Sequence, residues 1–178
     1  MIKQAILIPA HINFLADVRN FIQNIGTDYR FSNRVTHSMM LAVEEACTNI
    51  IRHGYKDVPK GKILIEAIIH KLSLEIIIVD QGETYDPRTA VRPAITELAD
   101  RGKKGGLGIM MIRKLMDEID YRSENRGNEF HLLKYRDNMR QSHLFPILQF
   151  VHHNRFLLVA ALINLVIIIA LLVIVFHL

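Results

Sequence analysis

The chain has almost no cysteine, since Cys47 is the only one among 178 residues. A single cysteine excludes any intrachain disulfide, and this composition suits a reducing compartment. We expect Cys47 to act as a small buried apolar group on a helix.

Signals for secretion and for nucleic-acid binding are also missing. The apolar run Ala5–Ile8 is too short for the core of a signal peptide, and no small-residue cleavage pattern follows it. The formal net charge is +4, but the 22 basic residues are interspersed with 18 acidic ones and form no sustained basic stripe. The sequence therefore gives no reason to expect direct nucleic-acid binding.

The commoner nucleotide and metal signatures are absent as well. The glycine-rich run Arg101–Gly108 lacks the Gly-Lys-Ser/Thr ending of a P-loop, and its Gly106 and Gly108 have no third glycine for a dinucleotide fingerprint. There is no HRD or DFG sequence of the eukaryotic kinase type and no H-E-x-x-H metal motif. The adjacent His152 and His153 would diverge on a helix, which argues against a shared metal.

Charged residues are absent from the C-terminal stretch Phe156–Leu178, where Asn164 and His177 are the only polar side chains. At about 1.5 Å per residue, the segment 156–176 matches a hydrocarbon core of about 30 Å. A buried core helix is the alternative, but such a helix rarely needs so long a run that is apolar on every face. The sequence therefore predicts one transmembrane helix over 156–176.

The charges beside this span predict its orientation. Only His177 and Leu178 follow it, whereas four basic residues precede it: Lys134, Arg136, Arg140 and Arg155. Positive charge favours the cytoplasmic side of a membrane. We therefore expect a cytoplasmic domain over 1–137, a juxtamembrane connection over 138–155 and a single-pass C-terminal anchor.

The rest of the chain alternates between strand and helix periods. The predicted strands are 2–8, 62–70, 72–79, 120–123 and 129–135, and the predicted helices are 11–25, 32–54 and 105–119. We expect Gly26 to end the first helix, Ser32 to cap the second and Gly54 to stop it. The long connection Asp80–Lys104 exceeds ordinary loops and is expected to be functional. The pattern predicts an α+β fold with helices on one face of a mixed, mostly antiparallel sheet.

The first motif, EEACTNIIRHGY, covers Glu44–Tyr55 on the second predicted helix. Its Glu45, Asn49 and His53 are four residues apart and lie along one stripe. A carboxylate beside a carboxamide suits Mg²⁺, which takes one or two oxygen ligands from protein and the others from phosphates and water. The same spacing is common on solvated helix faces, which is the alternative. Glu44 points about 100 degrees away and is interpreted as a surface charge.

The second motif, DQGETYDP, covers Asp80–Pro87 at the end of an apolar strand. An aspartate at Asp80 can accept a hydrogen bond from an adenine amino group, and Gly82 lets the backbone approach the ring. An ordinary Asp-Gly turn is the alternative.

The third motif, RGKKGGLG, covers Arg101–Gly108 and opens a helix. Its glycines allow backbone N–H groups at a helix N-terminus to face phosphate oxygens, and Lys103 and Lys104 can add neutralising charge. A solvated basic run is the alternative for the two lysines.

The order and combination of the three motifs resemble the Bergerat-fold or GHKL ATPase superfamily, with its histidine kinase-like ATPase domain. Within this superfamily, the chain is most similar to the anti-sigma-factor serine/threonine kinases of bacterial sporulation and stress switches. The similarity lies in the segments EEACTNIIRHGY, DQGETYDP and GGLGIMMIRKLMDEIDY. The similarity covers roughly residues 3–135 and does not include the C-terminal stretch.

The resemblance implies a role for each matching residue. Glu45 would be the general base, Asn49 would bind Mg²⁺, and Glu45 would also reach the metal through water. Asp80, with Gly82 beside it, would recognise adenine, and Asp86 would shape the loop. The lid glycines would hold the phosphates of ATP in a set that comprises Lys103, Lys104, Gly105, Gly106, Leu107 and Gly108.

The resemblance also implies an activity and partners. The activity is transfer of the γ-phosphoryl group of ATP to a serine or threonine of a small anti-anti-sigma (STAS-like) protein, and the same domain would sequester a sigma factor. A homodimer is expected because relatives often dimerise, and the location would be a bacterial cytoplasmic membrane.

Two departures from the family pattern stand out. Relatives place a threonine or serine on the last strand to support adenine through water, whereas Leu133 is expected there, which would weaken nucleotide affinity. Typical members are soluble, so an anchored member could respond to a membrane partner or regulate something other than a sigma factor.

Two other functions compete with a serine/threonine kinase. One is a non-enzymatic membrane-bound module whose ATP only stabilises a binding-competent shape. The other is the ATPase part of a histidine kinase, which needs a phosphorylatable histidine in an H-E-x-x motif. His37 is followed by Ser38 and Met39, which argues against it.

Overall fold

The computed structural model describes residues 1–56, 61–84, 107–124 and 127–137, together with Asn154. The chain divides into two compact units, Met1–Asp137 and Asn138–Leu178. Within the described residues no helix has the length and apolar character needed to cross a bilayer. The predicted connection and transmembrane helix lie outside the described residues, except for Asn154, and stay predictions.

Five strands of the first unit form one sheet in the order β1-β2-β3-β5-β4. Their bounds are β1 Ile2–Pro9, β2 Lys62–Ile69, β3 Ser73–Asp80, β4 Glu118–Glu124 and β5 Gly127–Tyr135. All four pairings are antiparallel. The α+β class is confirmed, but the predicted mixed sheet is wrong for the described residues, because the chain reverses direction between every pair of neighbouring strands.

Three α-helices accompany the sheet. They are α1 Leu15–Asp28, α2 Asn33–Asn49 and α3 Leu107–Leu115, with a 3-10 turn over Ile12–Phe14 before α1 and a π-helical turn over Ile50–Gly54 after α2. Ser32 caps α2 as predicted, since its Oγ accepts a hydrogen bond from the Val35 N–H at 3.2 Å. Gly54 ends the π-helical turn, as predicted for the end of the second helix.

Gly26 does not end α1, contrary to prediction. The helix continues to Asp28, and the residue with a left-handed backbone after it is Arg30, with φ of 53°. Gly26 is buried against Thr36 of α2, and a Cβ at this position would overlap the Thr36 side chain. Here the glycine permits a close approach between two helices rather than a helix end.

The third helix is shorter than predicted, because it ends at Leu115 instead of residue 119. The Asp117 N–H donates to the Leu133 carbonyl at 3.0 Å, and Glu118 and Ile119 pair with β5. Strand pairing therefore takes up residues whose apolar spacing also fits a helix.

The hydrophobic core lies between the helices and one face of the sheet. Alternating residues of β2 and β3 are fully buried, namely Ile63, Ile65, Ala67, Leu74, Ile76 and Ile78. They belong to one cluster with apolar residues at helical spacing in α1 and α2, namely Val18, Ile22, Ile25, Val35, Met39, Ala42, Val43 and Ala46. Burial of each large aliphatic side chain contributes about 1.5–3 kcal/mol. This core fixes α2 against β3, and both elements carry predicted site residues.

Candidate nucleotide site

A pocket opens where the C-terminal end of α2 meets the C-terminal end of β3. Ten residues line it: Ala46, Asn49, Ile50, His53, Gly54, Asp80, Glu83, Ile109, Tyr121 and Phe130. Asn49 belongs to the first sequence motif and Asp80 to the second. The fold therefore brings together two residues that are far apart in the chain.

Glu45 and Asn49 are half-buried and lie one turn apart on α2. Glu45 does not line the pocket itself. Its carboxylate lies against Gly108 at the start of α3, where a Cβ on the glycine would overlap it. Gly108 therefore lets the first turn of α3 approach Glu45. Glu44 forms an ion pair with Arg19, in agreement with its interpretation as a surface charge.

Asp80 is the last residue of β3 and is only 5% exposed. Its Oδ1 accepts hydrogen bonds from the Gly82 N–H at 2.8 Å and from Asn128 Nδ2 at 3.1 Å. Burial raises the pKa of Asp80, whereas these two hydrogen bonds lower it. Asp80 is thus a buried carboxylate at the pocket wall whose partners, among the described residues, are neutral donors.

Gly82 and Gly54 join the two motifs through their backbones. A Cβ on Gly82 would lie 2.6–2.9 Å from the backbone of Gly54, and the Glu83 N–H donates to the Gly54 carbonyl at 2.9 Å. Gly82 therefore has a packing role against the first motif that its position beside Asp80 did not predict. A side chain here would push the turn away from α2.

Tyr55 holds the same turn from the other side. Its hydroxyl accepts a hydrogen bond from the Gln81 N–H at 2.7 Å and donates to the Lys62 carbonyl at 3.0 Å. Burial raises the pKa of Tyr55, so the hydroxyl stays neutral and can both donate and accept. Tyr55 ends the first motif, but its spacing from Glu45 and Asn49 gave no signal of this role.

The polar residue beside Asp80 on the last strand is Asn128, and the prediction of Leu133 at this place is wrong. The register pairs Asp80 with Asn128 and Leu133 with Glu75. Leu133 lies five residues further, or about 17 Å along the strand. Asparagine is typical of turns, so the sequence predicts the last strand only from residue 129, whereas β5 already begins at Gly127.

Apolar and aromatic side chains complete the pocket. Ile50 and Ile109 come from the helical side, and Tyr121 and Phe130 come from the sheet. The two rings meet edge to face with centroids 6.3 Å apart. An apolar cavity with one buried acceptor suits a planar heterocycle that carries an amino group. Ile50 lies within the first motif, and Ile109 and Tyr121 lie within the segment GGLGIMMIRKLMDEIDY, but the sequence predicted a site role for none of them. Phe130 lies outside these segments.

Several predicted residues cannot be placed. Asp86, Lys103, Lys104, Gly105 and Gly106 lie outside the described residues. Leu107 begins α3, and Gly108 lies in its first turn. Within the described part of the chain, no group of three or more histidine, cysteine or acidic side chains could hold a metal ion.

Comparisons with known proteins identify the family of this domain. The family model of the histidine kinase-like ATPase domain matches residues 8–134. The serine-protein kinase RsbW of Bacillus velezensis is 29% identical over 140 residues, which cover 76% of this chain and 87% of that protein. The serine-protein kinase RsbW of Bacillus licheniformis is 30% identical over 115 residues, which cover 62% of this chain and 72% of that protein.

A solved structure shares the fold. The RsbU and RsbW domains of a Mycobacterium tuberculosis protein match with a TM-score of 0.54 at 19% identity, over 75% of this chain and 32% of that one. The family model covers most of the chain. The relatives match the domain that contains the three motifs, with sequence identities of up to 30%. The chain therefore belongs to the histidine kinase-like ATPase domain family and, within it, to the anti-sigma-factor family of protein serine/threonine kinases.

Proposed function

We propose that the chain binds Mg-ATP in this pocket and transfers the γ-phosphoryl group to a serine or threonine of a small anti-anti-sigma protein. The observation that carries the proposal is the meeting of Asn49 and Asp80 on one pocket. The same domain would sequester a sigma factor until the anti-anti-sigma protein displaces it. Binding is then the output, and phosphorylation resets the switch.

The adenine end of the site is built from Asp80 and the apolar walls. An adenine amino group donates to the Asp80 carboxylate, while Ile50, Ile109 and Phe130 cover the ring. Gly82 keeps the turn after Asp80 against Gly54, which holds the acceptor in place.

The phosphate end lies toward Glu45, Asn49 and the first turn of α3. Free N–H groups at a helix N-terminus favour phosphate oxygens, and Gly108 lets α3 begin close to Glu45. Phosphoryl transfer depends mainly on alignment of donor and acceptor and on neutralisation of spreading charge. In this arrangement Glu45 takes the proton of the attacking hydroxyl group.

The donor chemistry fits a magnesium ion that arrives with the nucleotide. Asn49 lines the pocket, where its amide oxygen could bind the ion, and Glu45 adds a carboxylate one turn away that would act through water. Mg²⁺ commonly takes one or two protein ligands and keeps phosphates and water as the others. Bound there, it would neutralise charge on the phosphates.

The C-terminal stretch supports a membrane location for this switch. The uncharged run over 156–176 and the basic residues before it lead us to propose a single-pass anchor in the cytoplasmic membrane, with the kinase domain on the cytoplasmic side. We also propose that the chain forms a homodimer.

Phosphotransfer can be tested with the purified full-length chain in detergent. We expect label from Mg-ATP to appear on a serine or threonine of an anti-anti-sigma protein encoded in the same genome. Glu45→Gln should slow transfer by about 10²–10⁴-fold, because the general base is lost, with ATP affinity little changed. Glu44→Gln is the matched control, since this adjacent carboxylate pairs with Arg19 and should be dispensable for transfer.

The outcomes separate the parts of the proposal. A Glu45→Gln protein that transfers at the wild-type rate would show that Glu45 is not the base. A wild-type chain that binds ATP but labels no candidate would favour the non-catalytic module, in which ATP only stabilises a binding-competent shape. A wild-type chain that binds no ATP at any magnesium concentration would refute the nucleotide site itself.

A further inference from the structure

The chain leaves the first unit at the end of the sheet opposite the pocket. The described part of this unit closes with Arg136 and Asp137, which directly follow β5. The register places Tyr135 beside Ser73, the first residue of β3, whereas Asp80 at the pocket is its last. β3 has eight residues, so at about 3.3 Å per residue its two ends are about 23 Å apart.

Arg136 joins two loops at this exit. Its guanidinium donates to the carbonyls of Tyr29 and Arg30 at 2.8 and 2.9 Å and to the Lys71 carbonyl at 3.1 Å. It also lies 3.9 Å from the centroid of the Phe31 ring. One side chain therefore holds the loop between α1 and α2 against the turn between β2 and β3.

The side chains brought together here are mainly basic. Arg30 and Lys71 are exposed, and the side chain of Arg34 in the first turn of α2 is 63% exposed. Neither Arg30 nor Lys71 forms an ion pair with another described residue. We call the set of Arg30, Arg34, Lys71 and Arg136 the basic end. Because Arg136 fixes both loops, this charged surface is formed in advance of any binding.

Asp28 and Asp137 are acidic neighbours of the basic end and offset only part of its charge. Asp137 accepts a hydrogen bond from Ser32 Oγ at 2.5 Å and lies 3.8 Å from the guanidinium of Arg34. Asp28 is the exposed last residue of α1. A surface of exposed positive charge that its neighbours do not cancel attracts a negatively charged partner.

An exposed apolar side chain borders the basic end. Ile2 at the start of β1 is 48% exposed, and its partner in the register, Ile69, lies two residues before Lys71. The next residue, Lys3, is exposed as well. Basic and apolar side chains together are typical of surfaces that bind the headgroup region of a bilayer. Surfaces for single-stranded nucleic acid instead combine positive charge with aromatic rings on which bases stack.

The sequence after the exit indicates the same partner. The uncharged run over 156–176 is the membrane anchor proposed above, and it follows Asp137 in the chain. Anionic lipids attract lysine and arginine residues that lie close to the bilayer surface. A bilayer at the basic end would also leave the nucleotide pocket, at the other end of β3, open to ATP and to an acceptor protein.

We propose that the basic end is a docking surface for a lipid bilayer that contains anionic headgroups. Docking orients the kinase domain so that its nucleotide pocket faces away from the membrane. The proposal rests on the membrane location proposed above and adds a second, electrostatic contact to the anchor.

The test uses the full-length chain in lipid nanodiscs with a fluorescent label near the basic end. Asn33→Cys supplies an exposed labelling site in the first turn of α2. The native Cys47 is buried, and burial raises its pKa to about 12, so it reacts slowly. Quenching of the label by nitroxide-bearing headgroups should be about threefold stronger with about 30% phosphatidylglycerol than with phosphatidylcholine alone, and about 1 M salt should remove the difference.

Removal of the exposed charges should abolish this dependence on lipid. The test variant carries Arg30→Gln, Arg34→Gln and Lys71→Gln, and it keeps Arg136 with its hydrogen bonds. The matched control removes three exposed charges that lie away from the basic end, in Arg52→Gln, Lys56→Gln and Lys62→Gln. The control should quench like the wild type. If the test variant does not fold, Lys71→Glu alone should lower the quenching in phosphatidylglycerol discs.

Three outcomes would overturn the proposal. The first is wild-type quenching that does not depend on phosphatidylglycerol. The second is an equal loss in the test variant and in the control, because the net charge and not this surface would then be responsible. The third is release of the docked domain by duplex DNA at the same concentration of phosphate groups, which would assign the surface to nucleic acid.

Failure of the proposed function gives a different result. A chain that transfers no phosphoryl group but docks as described supports the basic end and counts only against the kinase. A chain that nanodiscs do not retain would refute the anchor, and sedimentation with vesicles then decides. Salt-sensitive binding to phosphatidylglycerol vesicles should weaken about 100-fold in the test variant, at about fivefold per charge, and absence of such binding would overturn the proposal.

Discussion

The two ends of the β3–β5 pair use buried charge in opposite ways. At the pocket end, Asp80 is held by neutral donors from Gly82 and Asn128. At the far end, the buried Lys134 donates to the Leu115 carbonyl and lies 3.5 Å from Asp117. The first charge keeps one oxygen toward a pocket, whereas the second is used entirely within the fold.

This difference separates binding from stability within one pair of strands. A buried charge without an opposite charge lowers the stability of the folded protein. Such charges occur at functional sites, where they interact with a ligand. A buried charge with its counter-charge and hydrogen bonds instead becomes part of the structure, and removal of one partner is expensive. Changes at the pocket end should therefore alter ligand preference, and changes at the far end should alter the free energy of unfolding.

The largest effect is expected for Lys134→Met. Methionine preserves the length of the side chain but removes the ammonium group that donates to the Leu115 carbonyl and lies 3.5 Å from the Asp117 carboxylate, which is 0% exposed. The free energy of unfolding should fall by about 3–5 kcal/mol, as measured by urea denaturation. The relative affinity for ATP and inosine triphosphate should not change in the protein that remains folded.

A second substitution checks this explanation. Asp117→Asn added to Lys134→Met removes the buried negative charge as well but keeps an acceptor for the Tyr135 N–H, so it should recover part of the loss. Surface substitutions usually change the free energy of unfolding by less than about 0.5 kcal/mol. If Lys134→Met alone stays within that range, the pair of Lys134 and Asp117 does not stabilise the fold.

The next effect is expected at Asp80, where Asp80→Asn should reverse the base preference. The asparagine oxygen can still accept from Gly82 and Asn128, so the amide nitrogen should face the pocket. Affinity for ATP should fall by about 10–100-fold and affinity for inosine triphosphate should rise. Isothermal titration with both nucleotides measures this change.

Stability should move the other way in the same variant. Because burial raises the folded-state pKa of Asp80, the ionised carboxylate opposes folding as the pH rises past the ordinary aspartate range. Asp80→Asn removes this cost, so thermal stability at pH 7 should be equal to or above that of wild type. A clear loss of stability would contradict the contrast between the two ends.

A smaller effect is expected at Arg136, which follows β5 at the far end. Its guanidinium donates to the carbonyls of Lys71, Arg30 and Tyr29 at 3.1, 2.9 and 2.8 Å, and lies 3.9 Å from the centroid of the Phe31 ring. Lysine cannot reproduce this planar set of donors. Arg136→Lys should lower the free energy of unfolding by about 1–2 kcal/mol.

The matched control for this prediction is Arg122→Lys on the exposed part of β4. Arg122 pairs with Asp120, and both side chains are nearly half exposed. Exposed pairs contribute little, so a change of less than about 0.5 kcal/mol is expected. If both substitutions change the free energy of unfolding equally, the contacts of Arg136 stabilise the fold no more than an exposed ion pair does.

The periodic elements of the fold could be read from the sequence because they depend on local patterns. Two isoleucine-rich runs with almost no residues between them predicted the hairpin of β2 and β3, and the serine cap predicted the start of α2. The pocket residues Asn49 and Asp80 were found because each lies in a compact motif.

Contacts between distant segments could not be predicted in the same way. Asp80 and Asn128 are 48 residues apart, and only the register of β3 with β5 brings them together. Gly26 was misassigned for a similar reason, since its close neighbour is a side chain of another helix. A single sequence shows the structural propensity of each segment. It does not show which distant segment packs against it, and such packing can override the local propensity.

The smallest effect is expected between the two ends, where Glu75 of β3 and His131 of β5 are 3.3 Å apart. The hydrogen bond between them lowers the pKa of Glu75 and raises that of His131, with Glu129 as a second partner of the histidine and Arg122 opposing.

The raised pKa of His131 means that its stabilisation is complete below about pH 6.5 and is lost as the pH rises. The lowered pKa of Glu75 means that its stabilisation is complete above about pH 4.5 and is lost as the pH falls. The pair should therefore stabilise most between these values, by less than about 1 kcal/mol, because it is only partly buried. His131→Gln should flatten the fall in unfolding free energy between pH 6 and 8. His37→Gln is the control, because His37 is exposed and its Nδ1 atom hydrogen-bonds to the Asn33 carbonyl at 2.8 Å. If His131→Gln leaves the pH profile of the unfolding free energy unchanged, the Glu75–His131 pair contributes as little as an exposed ion pair. The buried charges at the two ends of the β3–β5 pair would then be the ones that affect binding and stability.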